Sequence, residues 1–221
     1  MTTVLVVAAH MDDEALGCGG TIARHAADGD AVHVVFMTDS STTQYAGDAT
    51  KLRRKYDEAA RVAEILGIEE LHFLDFPDMK LDTVPIAELA GAVAGVARQI
   101  QPTVVYTHHP GDRNKDHPLA YEATMVAARP QPGNSIKRVL AYEVLSSTEW
   151  GELHVPFVPN HFVDISGHVD AKVAAMQCYS DELRDPPHPR SLEAIRVRAR
   201  DRGMSVGLEA AEAFRVLLDI R

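Results

Sequence analysis

The chain has 221 residues, a length typical of one globular domain. With 46% hydrophobic and 24% charged residues, its composition excludes a disordered chain. Acidic residues outnumber basic ones by 32 to 22, and the resulting net charge of −10 would repel nucleic-acid phosphates and anionic lipid surfaces. We therefore expect a small polar substrate and no nucleic-acid partner.

The sequence also indicates a cellular compartment. Cys18 and Cys178 are too few for a disulfide framework and suit a reducing environment. The apolar run at residues 4–9 has no basic residue before it and is followed by acidic residues, which argues against a secretory signal. No stretch approaches the ~20 apolar residues of a membrane helix. We expect a cytoplasmic protein with no integral membrane segment, whose long loops leave room for a homo-oligomer.

Short apolar runs alternate with longer amphipathic segments along the chain. Uniformly apolar runs predict strands buried on both faces, and apolar residues at helical spacing predict helices. Gly67 lies where the predicted helix 51–66 would end. The predicted strands cover residues 4–9, 31–37, 71–74, 103–107, 139–144 and 162–165. The predicted helices cover residues 21–27, 51–66, 86–100, 117–128, 169–179, 192–202 and 208–218.

This alternation is typical of a parallel sheet with helices on both faces. The sequence thus predicts one α/β domain over residues 1–221, with a Rossmann-like, mostly parallel sheet. Right-handed crossovers would bring the loops that follow the strands to one edge, where ligands bind in such folds. The connections 39–50 and 145–160 are longer than usual and are interpreted as rims of a binding site.

Polar residues follow the first predicted strand. His10 is followed by Asp12 and Asp13, so His10 and one aspartate could share a metal ion while the other aspartate stays free. The alternative is an acidic helix cap, in which a carboxylate accepts amide hydrogens of the next helix. These residues taken alone favour neither interpretation.

A second polar segment, residues 107–118, follows the predicted strand 103–107. His117 would open the next helix and face the same sheet edge as His10, whereas Asp112, Asn114 and Asp116 are residue types common in turns and caps. Two histidine nitrogens, one carboxylate and an open position are the pattern of a catalytic zinc site. Zinc suits this set, and Fe²⁺ or Co²⁺ would also fit. A spare aspartate beside such a metal can act as a general base.

The motif His10-Met11-Asp12-Asp13-Glu14 after an apolar strand, with Asn114-Lys115-Asp116-His117 before a helix, resembles the PIG-L/LmbE-like metal-dependent de-N-acetylases. Residues 157–166, 187–191 and 207–214 are also similar to bacterial members. The family includes deacetylases of N-acetylglucosaminyl-phosphatidylinositol, mycothiol and bacillithiol precursors. Its first motif is usually A-H-P-D-D-E, in which Met11 here replaces the proline.

The resemblance implies an LmbE-like fold and a zinc-dependent hydrolase that removes the acetyl group from an N-acetylated amino sugar or GlcNAc-type conjugate. His10, Asp13 and His117 would be the metal ligands. Asp12 would be the general base that takes a proton from metal-bound water, and the acid for the departing amine. Asn114 and Asp116 would complete the catalytic set.

The oxyanion donor departs from the family pattern. Many members carry a histidine three residues before the last ligand, where a charged ring can stabilise the oxyanion. Here that position is Asn114, which donates only as a neutral amide and forms a weaker hydrogen bond. His188, Arg190 and the pair His108 and His109 are candidates for an additional donor.

The candidate substrate-binding residues also depart from the family pattern. The family's substrate arginine falls on Lys55, with Arg54 adjacent, so Arg54, Lys55, His188 and Arg190 are the candidate substrate-binding residues. For Arg54 and Lys55 a solvated helix face is the favoured alternative. For Arg190 a polar start of the following helix is an equal alternative.

Three other functions fit parts of this pattern. An amidase acting on a larger sugar-amide conjugate, as mycothiol-conjugate amidases do, would use the same site. A metal-dependent phosphoesterase commonly holds two metals ~3.5–4 Å apart and needs more carboxylates than converge here. A nucleotide- or sugar-binding module would depend on residues 17–20, which lack the spacing of a dinucleotide fingerprint. Deacetylation is the function we expect.

Overall fold

A seven-stranded sheet in the order β3-β2-β1-β4-β5-β7-β6 forms the centre of the protein. It is seen in a computed structural model, which describes residues 1–41, 43, 48–152 and 154–221. Strand β7 runs antiparallel to β5 and β6, and the other neighbouring strands pair in parallel. The predicted mostly parallel sheet is therefore confirmed. The strands are β1 Thr3–Ala8, β2 Ala31–Thr38, β3 Glu70–Phe76, β4 Val104–His108, β5 Arg138–Tyr142, β6 His161–Asp164 and β7 Ala211–Asp219.

Helices cover both faces of this sheet. They are α1 Asp13–Ala27, α2 Ala49–Leu66, α3 Ile86–Ile100, α4 Asp116–Ala127, α5 Val169–Cys178 and α6 Leu192–Met204. Val4 and Val6 of β1 pack in the core cluster that also contains residues of α1, α2 and α5. Leu5 and Val7 pack in the opposite cluster, with residues of α3 and α4. Burial on both faces explains why β1 is uniformly apolar. Within the part of the chain described, no helix combines the length and apolar character needed to cross a bilayer.

The predicted helix 208–218 is wrong, because this segment forms strand β7. Its apolar residues have approximately helical spacing, but in the sheet Phe214 packs in one core cluster and Leu218 against the other. Pairing with β5 on one side and β6 on the other outweighs the local preference of the segment.

The predicted helix 21–27 is only the second half of α1, which begins at Asp13 and has a kink at Cys18. The backbone at Cys18 is non-helical, with φ −145° and ψ 24°. Beyond the kink, the amides of Gly20 and Thr21 donate to the Glu212 carboxylate at 3.0 and 2.6 Å. Lys172 Nζ forms a buried ion pair with Glu212 and donates to Leu16 O at 2.8 Å. A carboxylate from β7 thus caps the second half of the helix.

Lys172→Met should lower the free energy of unfolding by about 3–5 kcal/mol, because Glu212 would stay buried without its counter-charge. Urea denaturation followed by circular dichroism measures the change. Lys137→Met, at an exposed lysine, is the matched control and should change stability by no more than about 0.5 kcal/mol. Equal losses in the two variants would contradict the role of the buried ion pair.

Candidate active site

The candidate metal ligands lie where β1 and β4 end. The two strands are parallel neighbours, with Val4 opposite Val104, so the residues that follow them meet at one sheet edge. One ligand atom each from His10, Asp13 and His117 can be chosen so that all three lie within 4.8 Å of one another. Asp13 Oδ2 is 3.1 Å from His10 Nδ1 and 3.4 Å from His117 Nε2. The structure therefore brings together the three residues that the family resemblance implies as ligands.

The environment of these residues suits a cation. Asp13 Oδ1 and His117 Nε2 are buried and have no hydrogen-bond partner among the described residues. Burial lowers the pKa of His117, but the carboxylates of Asp13 and Asp112 outweigh burial and raise that pKa to about 9. The site thus favours positive charge beside Asp13. Two histidine nitrogens and a carboxylate with unused lone pairs are the donor set of a zinc-type ion.

Asp112 contacts the nitrogen of the His117 ring that does not face Asp13. Its Oδ1 is 3.1 Å from His117 Nδ1, and its Oδ2 accepts a hydrogen bond from Ser147 Oγ at 3.0 Å. A carboxylate on the far nitrogen fixes the ring orientation of a ligating histidine. Sequence reasoning missed this contact by treating Asp112 as a turn residue. Its place five residues before His117 in a polar segment was the available signal.

A small cavity of about 50 Å³ lies beside His10. It is narrow, because the surrounding side chains are held in ion pairs and hydrogen bonds. The lining residues are His10, Met11, Asp12, Ser40, Lys55, Asp78, Met79, Asn114, Glu182 and Arg190.

Asp12 lies in this lining, next to the candidate ligands. Arg190 Nη1 donates to Asp12 Oδ2 at 2.9 Å, and Arg190 Nε donates to Ser146 Oγ at 2.8 Å. Burial raises the pKa of Asp12 to about 6, and the positive charge of Arg190 opposes that increase. Arg190 directly precedes Ser191, the cap of α6, as the interpretation as a polar helix start expects, but its largely buried side chain also lines the cavity.

Asp116 supports His10 from the other side. Asp116 Oδ2 lies 3.1 Å from His10 Nε2 and accepts from the amide of Met79 at 2.8 Å. Asp78 Oδ1 is 3.4 Å from the same histidine nitrogen. Asp78, Asp116 and His10 therefore form a second possible ligand set that shares His10 with the first. No sequence motif pointed to Asp78, which follows β3.

A family match covers residues 5–128 of the chain. The family described as PIG-L, GlcNAc-PI de-N-acetylase, matches residues 5–128, more than half of the sequence. The chain belongs to this family.

Individual relatives agree with this membership over most of their length. A diacetylchitobiose deacetylase of Thermococcus kodakarensis is 32% identical over 192 residues, which cover 81% of this chain and 70% of that protein. A 4-oxalmesaconate hydratase of Pseudomonas putida is 34% identical over 202 residues, which cover 81% and 74%. The crystal structure of a conserved protein from Thermus thermophilus superposes with a TM-score of 0.79 and 30% identity, covering 100% of this chain and 97% of that one.

In this PIG-L protein, Lys55 lies inside the candidate site. It is buried, lines the cavity and donates to Glu182 Oε1 at 2.5 Å. The interpretation of Lys55 as part of a solvated helix face is therefore wrong. Asn114 also lines the cavity; its Oδ1 accepts from the amide of Asp116 at 3.0 Å, and its Nδ2 is 3.6 Å from Met79 Sδ.

Other candidates lie outside the cavity lining. Arg54 is partly exposed and pairs with Glu58 at 2.7 Å and Asp181 at 3.0 Å, as the helix-face interpretation expects. His188 is exposed, and its Nδ1 accepts from the amide of Arg190.

His108 and His109 do not face the cavity either. The amide of Ala9 donates to His108 Nε2 at 2.9 Å, and burial holds the pKa of His108 well below its usual value. His109 Nε2 donates to Val155 O at 2.8 Å. Of the additional oxyanion donors considered from the sequence, the structure brings only Arg190 to the cavity.

Proposed function

We propose that the protein is a metal-dependent N-deacetylase that removes the acetyl group from an N-acetylated amino sugar or GlcNAc-type conjugate. The observation that carries this proposal is the buried group of His10, Asp13 and His117 beside Asp12, a carboxylate outside that group which lines the cavity. Membership of the PIG-L family and the similarity to a diacetylchitobiose deacetylase support it.

His10, Asp13 and His117 would hold the ion, with zinc as the first choice and Fe²⁺ or Co²⁺ as alternatives. When bound, the ion would supply Lewis-acid polarisation of the acetamide carbonyl and make a water more acidic. Asp112 and Asp116 keep the two histidine rings in place.

Asp12 is the proposed general base and acid. Its Oδ2 accepts the hydrogen bond of Arg190, so the other carboxylate oxygen can take the proton of the attacking water. The same group then returns the proton to the amine as the C–N bond breaks. Arg190 orients Asp12. From the cavity lining its charge would also supplement the neutral amide that Asn114 offers to a developing oxyanion.

Acetate release tests the function directly. Zinc-loaded protein should release acetate from N-acetylglucosamine or diacetylchitobiose. Hydrolysis confined to amides with larger acyl groups would instead favour the amidase alternative. The phosphoesterase alternative is less favourable, because the two candidate ligand sets share His10 and do not offer independent sites for two ions.

The similarity to a hydratase favours a second candidate function, the addition of water to a 4-oxalmesaconate-like carboxylate. Lys55 and Arg190 could bind carboxylates, but Glu182 and Asp12 already pair with them. Deacetylation therefore ranks first, and loss of 4-oxalmesaconate absorbance without acetate release from any acetamide would reverse the order.

Arg190→Ala should lower kcat/KM for acetate release by about 10²-fold, because Asp12 would lose the hydrogen bond that orients it. Arg190→Lys should recover part of this loss through its charge. Arg184→Ala is the matched control from the same segment, since its guanidinium contacts only backbone carbonyls among its described hydrogen bonds. An Arg190→Ala enzyme as active as the Arg184→Ala control would contradict the role given to Arg190.

A further inference from the structure

A second group of metal-ligating side chains lies outside the candidate active site, on β2 and β3. His33 of β2 is opposite Glu70 in the register of the two strands, and His72 lies two residues further along β3. Residues two apart on a strand project from the same face. All three side chains therefore meet on one face of the sheet.

The distances among their donor atoms are nearly equal. His33 Nδ1 is 3.4 Å from His72 Nε2, and Glu70 Oε2 is 3.6 Å from each of these nitrogens. The 3.6 Å separations are too long for hydrogen bonds. Donor atoms held about 2.0–2.2 Å from one ion at tetrahedral angles lie about 3.3–3.6 Å apart. Direct pairing therefore provides one hydrogen bond, between the two histidines, whereas one ion at tetrahedral angles would contact all three donor atoms.

The group of His33, Glu70 and His72 is mostly buried but open to solvent on the side of Glu70. The His33 and His72 side chains are 9% and 11% exposed, whereas that of Glu70 is 51% exposed. An ion could enter past Glu70 and keep a water as its fourth ligand.

The position in the sheet suggests what such an ion would do. Strand β3 is at the end of the sheet and pairs with β2. An ion bound by His33 from β2 and by Glu70 and His72 from β3 would cross-link the two strands. We propose that these three residues form a second, structural zinc site that fastens the edge strand β3 to β2.

This site is separate from the candidate active site. His33 is in register with Leu5, and His72 pairs with Val35, which is in register with Val7. The proposed ligands thus lie three to five residues before His10, about 10–16 Å along the strand direction. Two metals that share a reaction lie ~3.5–4 Å apart. A second equivalent of zinc that is lost when His72 is replaced would therefore indicate an ion outside the catalytic centre rather than a dinuclear one.

Zinc stoichiometry tests the proposal without an activity assay. Untagged protein is stripped with a chelator, reloaded with Zn²⁺, dialysed and analysed by plasma mass spectrometry. We expect two equivalents in wild type, one in His72→Asn, one in His117→Ala and none in the double variant. His161→Asn, on the opposite edge strand β6, is the matched control and should keep two. A His72→Asn protein that binds as much zinc as wild type would overturn the proposal.

A second measurement covers the case in which His72→Asn folds poorly. In the His117→Ala background, zinc at a hundredfold excess over its Kd should raise Tm by about 5–10 °C. Adding Glu70→Gln, at a half-exposed side chain, should remove most of this rise. An unchanged rise would overturn the site. Because neither measurement depends on deacetylation, failure of the proposed function would leave both results interpretable.

Discussion

Asp12→Asn is expected to lower kcat for acetate release by about 10²–10⁴-fold, the usual contribution of a general base. The amide cannot take a proton from water, although it has nearly the same shape as the carboxylate. Asparagine is the suitable replacement because residue 12 has a φ of 155°, outside the regions that most side chains adopt. Steady-state kinetics, with zinc content measured on the same samples, gives the result.

Zinc content should not fall in Asp12→Asn, since Asp12 lies outside the proposed ligand set. Asp28→Asn, at the exposed carboxyl end of α1, is the matched control and should keep wild-type kcat. An Asp12→Asn protein within a few-fold of wild type, with normal zinc content, would exclude Asp12 as the general base.

His117→Ala is expected to remove one equivalent of zinc and reduce acetate release to background. The effect on zinc affinity should exceed the roughly 10–100-fold that loss of an outer hydrogen-bond partner costs, because a ligand itself is lost. Zinc titration against a competing chelator measures this affinity. His168→Ala, at the start of α5, is the control for loss of a histidine outside the site.

The same titration distinguishes the two ligand sets that share His10. Asp78→Asn should affect zinc binding less than His117→Ala if Asp13 and His117 complete the site. The reverse order would place the ion with Asp78 and Asp116 instead.

The sequence predicted best the elements whose residues are uniform in polarity. Strand β1 is apolar throughout because both of its faces are covered. The start of α1 could not be predicted, because its glycines resemble a turn. In the structure they are close packing points: a Cβ at Gly17 would lie 2.3 Å from the Tyr142 ring, and one at Gly20 2.7 Å from Ile165.

Some residues of the candidate site were also predictable from the sequence, and others were not. The convergence of His10, one of the two aspartates and His117 was predictable, because strand ends meet at one edge. The choice of Asp13 came from the family resemblance. Lys55 was a candidate from the resemblance, but its burial in the cavity was not predictable, because the partner that holds it there is Glu182, 127 positions away in the sequence. This contact depends on how α2 packs against α5 and the segment that follows it, which local patterns do not specify.

The parallel pairing of β1 with β4 also has a consequence for the order of events during folding. It joins Leu5 to Val105 across one hundred positions. Such distant pairings form slowly, because a long loop must close before any contact is gained. A chain that has not yet joined these strands holds His10 and Asp13 without His117. An ion held by all three residues could then bind only after β1 and β4 have paired. The rate of metal uptake during refolding would therefore report the rate at which the centre of the sheet forms.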